Sequence, residues 1–399
     1  MSVPVETDAA DWLLRELAQL DDDGLRRHRR TVKHLPQGEC EVDGRRLVNF
    51  ASNDYLGLAG DERLREAAMR VIKSVGVGAG ASPLITGRTE WHERLEQKIA
   101  EFEGDAAALL FPSGYAANVG TVSTLVGRED VIFSDELNHA SLIDGCRLSR
   151  ADVCVYPHAD VEFVAEQLHK HRHAPRRLIV TDGVFSMDGD IAPLWELAHL
   201  AEQHDAMLLV DEAHGTGVIG DECRGACEAC GVDSPRLVRV GTLSKAVGAV
   251  GGFVSGSQEL VDYLWNRART NVFSTSLPAA ICAAAFEAFT IIQQEPSRRA
   301  ALQTRIAQLR EPLRRVGLVP ETEPRTPIIP VIIGEPAQTV EIAKSLEREG
   351  LLVAAIRPPT VPVGTSRLRI SLSATHTSKS IDQLARAIQK VIASTSTTR

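Results

Sequence analysis

The sequence predicts an α/β protein in which a mostly parallel, doubly wound sheet forms a large domain and a smaller α+β domain follows it. Short apolar runs without polar alternation recur along the chain, which is typical of strands buried on both faces of a parallel sheet. Amphipathic helical patterns separate these runs. The length of 399 residues also exceeds what one hydrophobic core usually supports. The strand candidates are residues 107–111, 178–181, 207–210, 237–240 and 252–254.

In chain order, the pattern divides into three predicted units. Residues 1–45 are polar and predicted to be an N-terminal helical segment, with a basic cluster at Arg26, Arg27, Arg29 and Arg30. Residues 46–285 are predicted to be the large domain and 286–399 the C-terminal α+β domain. From Pro278 a long helical pattern runs to about Arg315, with breaks expected near Pro296 and Pro312. After it the pattern predicts a strand at 328–333, a helix at 340–349, strands at 352–356 and 367–372, and a last helix at 381–392.

Composition and charge exclude several classes of partner. The formal net charge of −9 gives no sequence-wide basic field for nucleic acid or anionic lipid. Since there is neither a long apolar run nor a signal-like start, we expect a cytoplasmic protein with reduced cysteines. Two clusters could suggest a metal, but we interpret them as loop thiols and a solvated helix end, and expect no metal site. These clusters are Cys223, Cys227 and Cys230, and His169, His171 and His173.

Polar residues follow several of the predicted strands. Asp211 and His214 come at the carboxyl end of one apolar strand, and Lys245 follows another. A pyridoxal 5′-phosphate (PLP) enzyme needs a lysine for the Schiff base and an acid that keeps the pyridine nitrogen protonated. A strand, a Ser-Gly turn and a helix around Gly114 offer backbone N–H groups for the phosphate. The pattern therefore favours a PLP site, although each feature alone is common.

Three further features each have an alternative interpretation that involves no catalytic or binding role. His139 could stack on a cofactor ring or be a structural polar residue, and Ser186 could equally cap a turn. The glycines at 76–80 follow a helix and lack dinucleotide-binding spacing, so we interpret this stretch as a loop beside the pocket.

Several motifs, in order along nearly the whole chain, closely resemble the α-oxoamine synthases. These are fold type I PLP enzymes that condense an amino acid with an acyl thioester and release CO2. The motifs are NDYLGL at 53–58, NHAS at 138–141, DGVFSMDG at 182–189, DEAHGTG at 211–217 and TLSKA at 242–246.

The resemblance implies a role for each matching residue. Lys245 carries PLP and acts as acid and base, Asp211 pairs with the pyridine nitrogen, His214 bonds the ring hydroxyl, and His139 stacks on the ring. Ser186 and Thr242 complete the cofactor shell, and Gly114 and Tyr115 belong to the phosphate-binding turn. Arg357 grips the substrate carboxylate with Asn53 nearby, and Thr360 and Arg27 are weaker candidates for substrate contact. The resemblance also implies a homodimer with active sites at the interface, where Ser274 and Thr275 reach the neighbour's PLP phosphate.

Within the family, residues 355–362 and 367–369 resemble the member of the biotin pathway. That resemblance implies condensation of L-alanine with pimeloyl-CoA or a pimeloyl-acyl-carrier protein. Three alternatives stay open: an α-oxoamine synthase that uses glycine or serine with a different acyl-CoA, a fold type I aminotransferase, and a catalytically silent PLP-domain regulator.

Overall fold

The computed structural model describes residues 10–320 and 326–396, with side chains described to residue 393. The helices are α1 Asp11–Asp22, α2 Glu62–Val75, α3 Glu90–Glu103, α4 Gly114–Leu125, α5 Ala140–Ser149, α6 Val161–Lys170, α7 Leu194–Gln203, α8 Ala226–Ala229, α9 Gln258–Arg267, α10 Arg269–Val272, α11 Ala279–Gln294, α12 Pro296–Arg315, α13 Pro336–Arg348 and α14 Ser378–Ser396, with a short π-helix at Pro83–Gly87. The strands are β1 Val32–Leu35, β2 Glu39–Val42, β3 Arg45–Asn49, β4 Ala107–Phe111, β5 Val131–Asp135, β6 Asp152–Tyr156, β7 Arg177–Asp182, β8 Met207–Asp211, β9 Leu237–Thr242, β10 Gly252–Gly256, β11 Ile328–Gly334, β12 Leu351–Leu352, β13 Ala354–Ile356 and β14 Ser366–Ser371.

A seven-stranded sheet in the order β4-β10-β9-β8-β7-β5-β6 forms the centre of the molecule. Strands β6, β5, β7, β8 and β9 run parallel, and the residues of β5 and β8 are almost wholly buried. Helix layers cover the sheet, so its strands lack the polar alternation of a half-exposed sheet. This arrangement confirms the predicted α/β class.

Strand β10 corrects the expectation that the short apolar runs are all parallel, because it is antiparallel to both β4 and β9. Only residues 243–251 connect β9 to β10. A parallel crossover needs about a dozen residues or more, so this short connection forces the chain to reverse.

The N-terminal part corrects a second expectation. Of the segment 1–45 that was predicted to be helical, the described residues 10–45 contain α1 as their one helix, and residues 32–49 form the antiparallel strands β1, β2 and β3, which β12 extends in parallel. The β2–β3 turn is Asp43-Gly44, and both residues have positive φ, 51° and 75°. An Asp-Gly pair with positive φ fits a tight hairpin turn.

The C-terminal part has a three-stranded sheet in the order β11-β14-β13, with α13 packed against it and α14 packed against both α12 and α13. The expected break at Pro296 is present, since α11 ends at Gln294 and α12 begins at Pro296. The expected break at Pro312 is wrong. The apolar stripe of α12 continues past it to the buried Leu313, and packing against α14 offsets the missing backbone hydrogen bond.

The run predicted as one strand at 352–356 is divided, since β12 pairs with β3 and β13 with β14. In the described part of the chain, no helix is long and apolar enough to cross a membrane. The division into units at about residues 45 and 285 stays a prediction.

Candidate active site

The candidate site lies at the carboxyl ends of neighbouring parallel strands. Asp182 ends β7 and Asp211 ends β8, and the two residues are directly paired in the sheet register. Lys245 follows the end of β9, the next strand. Residues far apart in sequence meet here because parallel strands end at the same edge of the sheet, where ligands of doubly wound folds bind.

Lys245 and His214 are in direct contact, with 2.8 Å between Lys245 Nζ and His214 Nε2. Burial lowers the pKa of Lys245 to about 8, although the carboxylates of Asp211 and Asp182 act in the opposite direction. Burial and the neighbouring Lys245 charge hold the pKa of His214 well below its ordinary value. The lowered pKa gives Lys245 a larger share of neutral amine near neutral pH than an ordinary lysine has, and this is the form needed for nucleophilic attack or proton abstraction.

Asp211 is held in place by donors on two sides. Its Oδ1 accepts from the backbone N–H of Ala213 at 2.9 Å, and its Oδ2 accepts from Asn118 Nδ2 at 2.6 Å. Asn118 Nδ2 also contacts Ser141 Oγ at 2.9 Å, and that hydroxyl lies 2.6 Å from His139 Nδ1. A continuous hydrogen-bond chain therefore orients Asp211 and His139 relative to each other.

Asp182 is a site residue that the sequence reasoning missed. It is buried, and within the described residues neither of its carboxylate oxygens has a hydrogen-bond partner. Burial raises its pKa well above the ordinary value, and the charge of Asp211 raises it further. A signal was present, because Asp182 directly follows the predicted strand at 178–181 just as Asp211 follows the strand at 207–210.

The predicted phosphate-binding turn lies beside Thr242. Ser113 caps α4 by accepting from the backbone N–H of Ala116 at 3.1 Å, and Gly114 begins the helix. A Cβ added at Gly114 would lie only 3.1 Å from Thr242 Cβ, so this close approach favours glycine. Tyr115 is exposed, and its hydroxyl donates to Asp144.

A second missed residue, Arg369, connects Asn53 and Ser186. Arg369 Nη1 donates to Asn53 Oδ1 at 3.1 Å and to Ser371 Oγ at 2.8 Å, while Nε donates to the backbone oxygen of Ser186. Its charge also lowers the pKa of Lys245 and His214, which places it beside the reactive lysine. Arg369 stood in a recognised motif, but the sequence alone could not distinguish its role from that of Arg357.

Arg357 lies in a different environment. Its Nη1 donates to the backbone oxygen of Gly24, and its pKa is lowered by burial and then by the charge of Arg27. The N-terminal residues Arg26 and Arg30 instead pair with acids, Asp21 for Arg26, and Asp43 and Glu347 for Arg30.

Arg27 and Arg357 therefore form a pair of like charges that interact with each other. Exposed Thr360 adjoins this pair, and its backbone N–H donates to the Arg357 oxygen at 3.1 Å.

Ser274 and Thr275 follow α10 and line a small cavity together with Pro112. Thr275 is exposed, and its neighbour Phe273 is 72% exposed. Contact of Ser274 and Thr275 with a neighbouring subunit stays a prediction.

The donor set fits PLP in four respects. Lys245 offers an amine of lowered pKa, Asp211 a fixed carboxylate for the pyridine nitrogen, and His214 an imidazole nitrogen for the ring hydroxyl. The helix start at Gly114, close to Thr242, offers backbone N–H groups for a phosphate.

Comparisons with known proteins point to the same chemistry. The family model for aminotransferase class I and II matches residues 45–388. The 8-amino-7-oxononanoate synthase 2 of Bacillus subtilis is 47% identical over 380 residues, which are 95% of this chain and 97% of that protein. The 8-amino-7-oxononanoate synthase of Anaeromyxobacter dehalogenans is 48% identical over 384 residues, 96% of each chain.

Solved structures also match over most of the chain. A serine palmitoyltransferase from S. paucimobilis with a bound PLP–myriocin aldimine has a TM-score of 0.91 at 31% identity, covering 96% of this chain and 98% of that one. An 8-amino-7-oxononanoate synthase from Francisella tularensis has a TM-score of 0.76 at 29% identity, covering 87% and 98%. These matches confirm the predicted fold type I and the predicted cofactor.

Proposed function

The chain belongs to the aminotransferase class I and II family and, within it, to the PLP-dependent 8-amino-7-oxononanoate synthases of biotin biosynthesis, and we propose that it condenses L-alanine with a pimeloyl thioester. The products would be 8-amino-7-oxononanoate, CO2 and the free thiol. One observation carries the proposal. Lys245, with its lowered pKa, lies between the imidazole of His214 and the paired strand ends of Asp182 and Asp211.

PLP, when bound, supplies the electron sink for the negative charge that develops on the substrate α-carbon. The residues of this chain then have separate tasks. Lys245 Nζ removes the α-proton and later returns a proton to the same carbon. Asp211, held by Asn118 and Ala213, keeps the pyridine nitrogen protonated by its charge. His139 would cover one face of the ring, and Ser186 and Thr242 would complete the shell.

Two arginine sites match the two carboxylates of the substrates. Alanine and the pimeloyl chain each carry one, and the chain offers the Arg27–Arg357 pair and the buried Arg369 beside Asn53. We assign the alanine carboxylate to Arg357; Asn53, expected beside it, instead accepts from Arg369, which is the second arginine available to a substrate carboxylate. A fixed carboxylate matters because its position decides which α-bond breaks.

We also propose a homodimer of two such chains in the cytoplasm. Phe273, next to Ser274, is 72% exposed, and exposed apolar side chains also lie at Val77 (73%), Ile85 (75%) and Val250 (47%). The backbone bond from Ser276 to Ala81, 3.1 Å long, joins the segment of Ser274 and Thr275 to the segment that carries Val77 and Ile85. Exposed apolar side chains on adjoining segments are typical of a subunit contact. A second copy would place Ser274 and Thr275 against its own phosphate-binding turn.

A substrate competition assay tests the proposed reaction. Purified PLP-loaded protein is given L-alanine, glycine or L-serine, each with pimeloyl-CoA or pimeloyl-acyl-carrier protein, and CO2 and amino ketone are measured. We expect both products with L-alanine, in equal amounts. Faster turnover of glycine or serine with another acyl-CoA, or transfer of the amino group to a keto acid without CO2 release, would contradict it.

A further inference from the structure

Tyr55 is a buried residue that the proposed reaction leaves without a task. Its side chain is fully buried, and its hydroxyl lies 2.6 Å from His214 Nδ1 and 3.2 Å from Asn53 Oδ1. The opposite ring nitrogen of His214 lies 2.8 Å from Lys245 Nζ. Asn53, Tyr55, His214 and Lys245 therefore form an unbroken hydrogen-bond chain that ends at the reactive amine.

The protons available to this hydrogen-bond chain permit two arrangements of donors and acceptors. Neutral His214 carries one ring proton, and the Tyr55 hydroxyl carries one proton that it can donate only once. In the first arrangement the Lys245 ammonium donates to Nε2, Nδ1–H donates to the Tyr55 oxygen, and Tyr55 donates to Asn53 Oδ1. In the second, Tyr55 donates to Nδ1 and Nε2–H donates to the neutral Lys245 amine. Every close contact in the chain is used in the first arrangement.

We propose that Tyr55 is a positioning residue that acts through His214. Rotation of its hydroxyl lets His214 Nε2 accept a hydrogen bond from the Lys245 ammonium in one state and donate a hydrogen bond to the neutral Lys245 amine in the other. The same rotation would let Nε2 donate a hydrogen bond to a deprotonated ring oxygen of PLP once Lys245 has left that position. This proposal rests on the proposed function only for the identity of that oxygen, since the chain from Asn53 to Lys245 consists of this protein's own residues.

The two arrangements differ in strength. The first uses the Tyr55 hydroxyl twice, as acceptor from His214 Nδ1–H and as donor to Asn53 Oδ1, whereas the second uses it only once, as donor to His214 Nδ1. Loss of the Tyr55 hydroxyl therefore costs the ammonium form of Lys245 more than the neutral form. Other charges that face Lys245 or His214 belong to Asp211, Asp182, Arg369 and His139. The charges of Asp211, Asp182 and His139 are unchanged in a Tyr55 variant; Arg369, which also contacts the Tyr55 hydroxyl, keeps its bonds to Asn53, Ser371 and the Ser186 oxygen.

The test measures the pKa of Lys245 in full-length protein freed of PLP, from the pH dependence of its trace acetylation by acetic anhydride, read by mass spectrometry. In Tyr55→Phe we expect this pKa to fall by about half a unit to one unit. Tyr263→Phe is the control for loss of a tyrosine hydroxyl, since Tyr263 is 42% exposed on α9 and is not among the groups that shift the Lys245 pKa. It should leave the Lys245 pKa where it is.

A double-mutant cycle with Asn53→Ala provides the second measurement. If Asn53 and Tyr55 act through one hydrogen-bond chain, Asn53→Ala lowers the Lys245 pKa, and it does so less in Tyr55→Phe than in the unmodified protein. Arg369 loses Asn53 as its acceptor in both backgrounds, so its contribution is the same in the two comparisons. An unchanged or raised pKa in Tyr55→Phe, or additive shifts in the double variant, would overturn the proposal. Because acetylation needs no substrate, failure of the L-alanine reaction would leave this result intact, and the reverse also holds.

Discussion

At the scale of single residues, the chemistry depends on a few charges that the surrounding atoms hold in fixed positions. Asp211 is the clearest case, since Asn118 and the Ala213 backbone leave its carboxylate little freedom. Asp182 lies beside it with a raised pKa. Burial and the neighbouring charge disfavour the ionised form of Asp182, and we therefore assign the pyridine nitrogen to Asp211 rather than to Asp182.

Asp211→Asn tests this division of roles. The amide has nearly the shape of the carboxylate but no charge, so it cannot keep a pyridine nitrogen protonated. We expect the variant to retain PLP, measured by absorbance, while kcat falls about 100-fold or more. Asp262→Asn, exposed on α9, is the control for loss of one acid. Turnover close to that of the unmodified enzyme would remove Asp211 from this role.

Arg357→Ala tests the assignment of the alanine carboxylate. Loss of a charge-assisted bond worth about 1.5–3 kcal/mol should raise the KM for L-alanine roughly 10- to 100-fold. Arg29→Ala, in the same basic cluster as Arg27 and exposed, is the control. A raised KM for the pimeloyl thioester with an unchanged KM for alanine would show that the Arg27–Arg357 pair binds the acyl carboxylate instead.

At the scale of elements, the sequence predicted most strands and helices because apolar periodicity and strand ends are local signals. The apolar pattern did not predict that β10 is antiparallel, because the direction of a strand depends on the path by which the chain returns to the sheet. The short connection at 243–251 was the sequence signal for this reversal. Strand β6 lies at the sheet edge, where Tyr156 is its single buried residue, so it lacks the full burial of the central strands. The hairpin at Asp43-Gly44 had a turn signal that the polar composition of the segment concealed.

Three elements around the site are joined by His158, which follows β6. Its Nδ1 contacts the Asp135 carboxylate at the end of β5 at 3.1 Å, and its Nε2 contacts Asp190 Oδ2 at 2.9 Å. Its ring packs edge-on against Phe185, with centroids 4.4 Å apart. Hydrogen bonds to the two carboxylates raise the pKa of His158 to about 10. His158 thus ties the turn that carries Ser186 to the end of the strand that precedes His139.

His158→Gln should make stability less dependent on pH. A pKa raised from about 6.5 to about 10 means that the contribution of His158 is fully present below pH 6.5 and is lost as the pH rises through 10. At pH 6 we expect the variant to be less stable by about 2–3 kcal/mol, since it leaves buried Asp135 without its cationic partner. Urea unfolding at pH 6, 8 and 9.5 should show this difference shrinking. His173→Gln, which is exposed, is the control, and a difference that grows with pH would contradict the assignment.

At the scale of the whole molecule, the site is assembled from segments that only the fold brings together. Sequence patterns identified Lys245, Asp211 and His214 because each follows a buried strand in a recognisable motif. They could not identify the task of Arg369, since its partners Asn53 and Ser186 lie 316 and 183 positions away along the chain. Tyr55 was also hidden, because its contact with His214 spans 159 positions. Long-range pairing of this kind leaves no periodic trace in the sequence.

The largest assembly proposed for this chain is the homodimer with shared active sites, and a mixed dimer tests it. Thr275→Asp repels the phosphate by like charge, while Lys245→Ala removes the amine that carries PLP. Each homodimeric variant should be inactive. If Thr275 acts on the neighbouring subunit, a heterodimer purified through two tags has one site with both lesions and one intact site. Its activity should be about half that of the unmodified dimer, provided that the two sites work independently. If Thr275 acts within its own chain, each site keeps one lesion and the heterodimer stays inactive, which contradicts a shared site.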